Sequence, residues 1–201
     1  MNLRFQYNKT SLQQLAKQLR IRERALPTLK NKESALRMEV KLSRNRTEEL
    51  AARIEEILTR QDKDMRMWSE FDFSLVKVSG VKMGYRKIAG VNIPELEDIE
   101  FTVKDYNLFL SPGWFPAGIR MLKELIGLTI EREISRTKTE ILEVARRKTT
   151  QKVNLYEKVQ IPEYRQAIMK IKRFLEDEEN LARAAQKIVK KRQYQKTEAE
   201  L

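Results

Sequence analysis

The residue types that do most enzyme chemistry are missing or scattered in this chain. It has no histidine and no cysteine, which removes the usual general base, the commonest metal ligand and any thiolate nucleophile. There is no glycine-rich phosphate cradle of the form G-x-x-x-x-G-K-[ST], no G-x-G-x-x-G and no cluster of metal-ligand spacing. The densest carboxylate group is Glu176-Asp177-Glu178-Glu179. Its neighbouring turns carry Lys and Arg, as on the solvated face of a helix, whereas a catalytic carboxylate needs a desolvated pocket. No catalytic residue, cofactor or metal is therefore expected.

Charge offers recognition instead. The net charge is +12, so acidic partners are favoured. Two basic runs stand out, Arg146-Arg147-Lys148 and Lys190-Lys191-Arg192. They read either as solubilising helix faces or as contacts to an acidic protein cavity. Aromatics are not interleaved with them for base stacking, and no helix-turn-helix or zinc-finger spacing accompanies them, so nucleic acid is not expected as a partner. The aromatics Trp68, Phe71, Phe109, Trp114 and Phe115, with Pro116, gather around the middle of the chain. They suit either a small core or an apolar docking patch.

The elements that would carry these residues follow from periodicity. From Leu12, alternating steps of three and four visit Leu12, Leu15, Leu19, Arg22, Leu26, Leu29, Glu33, Leu36, Val40, Ser43, Thr47, Leu50, Ile54 and Ile57; ten of these fourteen are large aliphatics. A 3.5-residue spacing is the seam of a left-handed coiled coil. Residues 1–70 therefore read as an N-terminal coiled-coil helix, with Asn8, Thr10 or Ser11 as its cap. The heptad phase runs through Pro27, which predicts a kink there and not an end.

Residues 71–116 hold four of the six glycines. Phe73 to Val78 has strand composition. Tyr85, Ala89, Val91 and Ile93 share one parity, as do Ile99, Phe101 and Val103, which predicts a β-hairpin of two or three strands punctuated by Gly80, Gly84 and Gly90. Residues 117–201 return to helix. Ile119, Leu122, Ile126, Ile130, Ile134, Thr137, Ile141 and Val144 mark one face. After Pro162, where a bend is expected, the seam is Tyr164, Ile168, Ile171, Leu175, Glu178, Ala182, Ala185 and Val189.

At 1.5 Å per residue the first helix would be about 85 Å long and the last segment about 115 Å. Joined by a compact insertion, the two fold back on each other. The fold expected is mainly α: a long antiparallel two-helix coiled coil of the N- and C-terminal segments, with a small β-hairpin head from the middle. Both chain ends would then share one tip, where Leu12 and Leu15 meet Ile188 and Val189. A symmetric homodimer is the competing arrangement. The N-terminus lacks the apolar stretch of a signal peptide, and no apolar run approaches the ~20 residues that span a bilayer. A soluble protein with no direct membrane insertion is expected, compatible with the cytoplasm.

Three patches then carry a resemblance. Thr149-Thr150-Gln151-Lys152-Val153-Asn154-Leu155-Tyr156-Glu157 followed by Ile161-Pro162, Leu29-Lys30-Asn31-Lys32-Glu33-Ser34-Ala35-Leu36, and Ala89-Gly90-Val91-Asn92-Ile93-Pro94 resemble patterns of the D subunit of V/A-type rotary ATPases. Tyr7-Asn8-Lys9 and Thr150-Gln151-Lys152 depart from the usual forms, as does Pro27, marking a divergent, bacterial member. The resemblance implies a non-catalytic central axle on the cytoplasmic side of a membrane. Its partners would be the catalytic and non-catalytic subunits of the ATPase hexamer, a small rotor subunit of the F type, and a funnel-shaped subunit above the membrane ring. Under that reading Arg146, Arg147, Lys148, Lys190, Lys191 and Arg192 contact the hexamer, and Val91, Ile93, Pro94, Trp114 and Phe115 contact partners at the head. The other readings are a structural adaptor similar to a flagellar-export stalk, against which the β segment argues, a basic nucleic-acid-binding coiled coil, and an enzyme.

Overall fold

The computed structural model describes residues 4–61, 68, 71–107 and 111–199. Phe109, among the aromatics singled out above, lies outside them. The elements are helix α1 (Lys9–Gln61), a 3-10 turn at Phe73–Leu75, strands β1 (Val76–Ile88) and β2 (Val91–Val103), helix α2 (Phe115–Asn154), a π-helical segment (Leu155–Gln160) and helix α3 (Ile161–Ala199). The chain divides into two compact units, one formed by Met1–Asn31 with Thr150–Leu201 and the other by Lys32–Thr149.

In the first unit α1 begins at an Asn8 cap, whose Oδ1 accepts the Ser11 N–H at 2.7 Å, satisfying a donor that the first turn leaves free. α1 and α3 pair antiparallel. Leu15, Ala167 and Ile171 are buried together, flanked by Phe5, Leu12, Tyr164, Ile168 and Leu175. Glu23 receives Arg165 at 2.6 Å, and Lys30 reaches Glu157 at 2.6 Å. As the α1 number rises, its partner's number falls. Leu19, Leu26 and Leu29 of the same stripe are half-buried. Pro27 does not end α1.

The second unit repeats the pairing with α2. Leu36 and Val40 meet Leu142, and Leu50 and Ile54 meet Leu128, with Ile57 beside them. Between these apolar layers lies a polar one. Ser43 Oγ is 2.7 Å from Thr139 Oγ1, Thr47 Oγ1 is 3.0 Å from Ser135 Oγ, and Ser43 and Ser135 are both buried. These side chains also bond helix carbonyls, so the polar layer is satisfied, as burial demands.

The α2 seam differs from the expected row. Leu128, Ser135, Leu142 and Thr149 are buried at every seventh position, while Val144 is exposed. The row through Leu122, Ile126 and Ile134 serves the hairpin instead: Leu122 and Ile126 pack on the cluster beneath its base, and Ile134 lines a groove with residues 93–99 of β2. α2 is thus apolar on two faces because it has two neighbours.

β1 and β2 form one antiparallel two-stranded sheet, with Ile88 opposite Val91 and Val76 opposite Val103. The turn residues Ala89 and Gly90 both have positive φ, 47° and 79°, as a two-residue type I′ hairpin requires. The hairpin lies along the helices. Its base packs on Phe71, Phe115 and Ile119, while nearer the turn Ile93 is buried against Leu36, Val40 and Leu142. A lone hairpin is marginal in water; these two contacts anchor it at both ends.

Candidate functional surfaces

The signature at residues 149–162 sits where α2 passes into α3, and its backbone is unusual. The Ile161 N–H donates to the Tyr156 carbonyl, five residues back, which is π-helical geometry. Pro162 explains it: proline has no N–H, and its ring crowds the carbonyl four residues earlier in an α-helix. Widening the preceding turn relieves that clash. Opposite it, between the Glu23–Arg165 and Lys30–Glu157 pairs, lies Pro27, so both helices carry their backbone defects at one level.

Arg22 closes that level. It stands at a seam position where the heptad calls for an aliphatic. Its Nε donates to Gln160 Oε1 at 2.7 Å, and its guanidinium carbon lies 4.6 Å from the Tyr164 ring centre and 5.9 Å from that of Tyr156. The other end of the guanidinium bonds back to Gln18. Sequence reasoning marked Arg22 only as a gap in an apolar row. The gap at 22 and the tyrosines at 156 and 164 were the signal available.

Along α3 the pairing ends early. Lys9, the first residue of α1, is 3.8 Å from Glu179. Residues 176–193 of α3 are exposed throughout, including Leu181 and Val189, 72% and 53% accessible. Val189 therefore is not a seam residue, and Leu12 and Leu15 meet Ile168, Ile171 and Leu175, not Ile188 and Val189. The cause is length: α1 stops at its Asn8 cap, so no α1 turn remains to cover the end of α3. Lys190, Lys191 and Arg192 lie on this uncovered stretch and are exposed.

The other basic run lies in the second unit. Lys148 and Arg147 are exposed, with Arg147 3.6 Å from Glu143; Arg146 is half-buried. Glu143 also receives Arg44. Nearby, Glu131 accepts from Arg46 at 2.7 Å and holds that guanidinium above its ordinary pKa, by the hydrogen bond first and by its charge second.

The head residues divide. Ile93 is 1% exposed, Pro94 is buried and Phe115 is 8% exposed, so none presents itself to a partner. Ile93 fills the space between α1 and α2, and Phe115 packs against Phe71, Tyr106 and Trp114. Trp114 and Val91 are half-buried. The exposed apolar residues of the hairpin lie on β1: Val78, Val81, Met83 and Tyr85. Period-two patterning hid them, because it presumes that apolar strand residues face inward.

Among the described residues no group of three or more carboxylates is placed to hold a metal, and no helix is long and apolar enough to cross a membrane. What the geometry supplies is paired helices, polar outer faces and uncovered basic or apolar stretches. A family model for the ATP synthase D subunit matches residues 11–191. Among curated proteins, the V-type ATP synthase D subunit of Borreliella burgdorferi is 32% identical over 184 residues, 90% of this chain and 91% of the relative. That of Chlamydia felis is 30% identical over 184 residues, covering 88% and 87%, and that of Chlamydia abortus is 28% identical over 183 residues, also covering 88% and 87%. With the match running through the first helix, the hairpin and the π-helical signature alike, the chain belongs to the ATP synthase D subunit family.

Proposed function

We propose that this chain is the central-stalk rotor axle of a V/A-type ATPase or ATP synthase. It transmits torque between the hexamer that hydrolyses or makes ATP and the ring that moves ions across the membrane, and it is itself non-catalytic. The observation that carries the reading is family membership over nearly the whole chain, joined to an antiparallel pairing made within one polypeptide. Interdigitated apolar layers resist slippage of one helix along the other. The charged outer face allows movement past another protein without an adhesive apolar surface.

The finer assignments rest on the same reading. The chain works on the cytoplasmic side, peripheral to the membrane. Its partners are the catalytic and non-catalytic hexamer subunits, a small rotor subunit of the F type, and a funnel-shaped subunit above the ring. Arg146, Arg147 and Lys148, with Lys190, Lys191 and Arg192 on the uncovered end of α3, face acidic surfaces of the hexamer. Such attraction decays over about 8 Å at physiological salt, which leaves the contact mobile.

Co-expression with the hexamer subunits and the small rotor subunit tests this. A stable one-to-one rotor pair that inserts into the hexamer and raises ATP turnover is expected. Failure of both associations with folded partners overturns the reading and favours an adaptor role.

A further inference from the structure

β1 is a basic strand and β2 an acidic one. Residues 76–88 carry Lys77, Lys82, Arg86 and Lys87 with no acid, a charge of +4; residues 91–103 carry Glu95, Glu97, Asp98 and Glu100 with no base, a charge of −4. The sheet has only these two strands, so β1 has one edge bonded to β2 and one edge with no neighbouring strand among the described residues. β2 lies over α1 and α2, where its residues 93–99 form a groove with Arg46, Ile134 and Lys138. β1 lies outward. Along it Tyr85 is 77% exposed, and Val78, Val81 and Met83 are also exposed.

An open strand edge is a template for another strand, and its apolar side chains supply what a bare backbone edge lacks. Charge selects the occupant. A second copy of this chain would bring +4 against +4 across the ladder, where like charges facing each other destabilise. An acidic strand would reproduce the pairing that β1 already makes with β2, in which Lys82 meets Glu100 at 2.6 Å. We propose that the free edge of β1 is a docking site for an extended acidic segment of a partner protein, added to the hairpin as a third strand. The inference stands on the hairpin alone and goes beyond the rotor reading; the hairpin makes this contact whichever complex holds the chain.

The test uses the full chain and a fluorescein-labelled synthetic peptide of residues 91–103, the acidic strand that β1 already accepts on its other edge. Anisotropy should show saturable one-to-one binding at low salt. Hydrogen exchange should slow along β1 while β2 keeps its own protection. Methylating alternate peptide nitrogens, which removes backbone donors without altering charge, should weaken binding at least tenfold. The Lys82→Glu/Arg86→Glu variant should do the same. Lys77→Gln/Lys87→Gln, which leaves the Lys82–Glu100 pair intact, should weaken it less but measurably, guarding against a hairpin lost through Lys82. Absent saturation, equal binding by the methylated peptide, indifference to both variants, or loss of protection in β2 through strand exchange would each overturn the proposal.

Discussion

Arg22 shows how one residue sets a level of the pairing. An arginine in a seam is tolerated only where its charge and donors are met. Here the rings of Tyr156 and Tyr164 and the Gln160 carboxamide meet them, the first and last from the π-helical segment and Tyr164 from the first turn of α3. Arg22→Ala should lower stability by about 1–2 kcal/mol, the sum of a cation–π contact and a charged hydrogen bond. A double-mutant cycle with Gln160→Ala in urea unfolding should show coupling of about 0.5–1 kcal/mol. Purely additive effects would mean that the clasp does not form.

Asp72 provides a pH signature at the same scale. Its carboxylate accepts the Ser74 N–H at 2.8 Å and the Ser74 hydroxyl at 2.9 Å, which hold its pKa below the ordinary aspartate value. The folded value lies below the unfolded one, so the contribution is complete above the unfolded pKa of about 3.9 and is lost as pH falls through the folded value. The stability gap between the parent and Asp72→Asn should be flat from neutral pH down to about 5 and close as acid is added below about 4. Paired thermal melts across that range would check it.

Among the elements, the hairpin turn carries a local conflict. Alanine at φ 47° bears a steric cost that asparagine or glycine avoids. Ala89→Asn would give the Asn-Gly pair that type I′ turns prefer, and should stabilise the hairpin by about 0.5–1 kcal/mol, read as slower exchange at Ile88 and Val91. The helices show what a sequence displays and what it hides. In α1 the three-four row coincides with the buried positions Leu15, Leu36, Val40, Ser43, Leu50 and Ile54, because the hairpin's Ile93 packs on the same stripe, at Leu36 and Val40, that faces α2. In α2 the isoleucine-rich row was the more conspicuous, yet the seam holds Ser135 and Thr149, polar residues that burial tolerates because they bond helix carbonyls. Two neighbours gave α2 two apolar faces, and periodicity alone does not say which is the seam.

For the whole molecule, the class and the antiparallel order were legible, while the register was not. Heptads repeat every seven residues, so the same seam accepts several alignments, and the one assumed set Leu12 against Val189. In the structure Leu15 packs with Ala167 and Ile171, and Lys9 lies 3.8 Å from Glu179. Of the residues expected to meet partners at the head, Ile93, Pro94 and Phe115 are buried, whereas Val78, Val81, Met83 and Tyr85 of β1 are exposed. Because residues 176–193 of α3 are exposed throughout, removing residues 181–201 should change unfolding free energy by less than about 0.5 kcal/mol. If that stretch is what enters the hexamer, the same truncation should abolish stimulation of ATP turnover. A large loss of stability would place it in the core.

Pairing of the two end segments within a single polypeptide, at a defined register, underlies the functional reading of this chain. The chain has no cysteine, so engineered pairs report cleanly. Leu15→Cys/Ile171→Cys should give a rapid intramolecular disulfide under mild oxidation, seen as a monomeric, reductant-sensitive mobility shift and confirmed by peptide mass. Leu15→Cys/Val189→Cys should not. Disulfide-linked dimers from the first pair, or efficient closure of the second, would contradict that pairing.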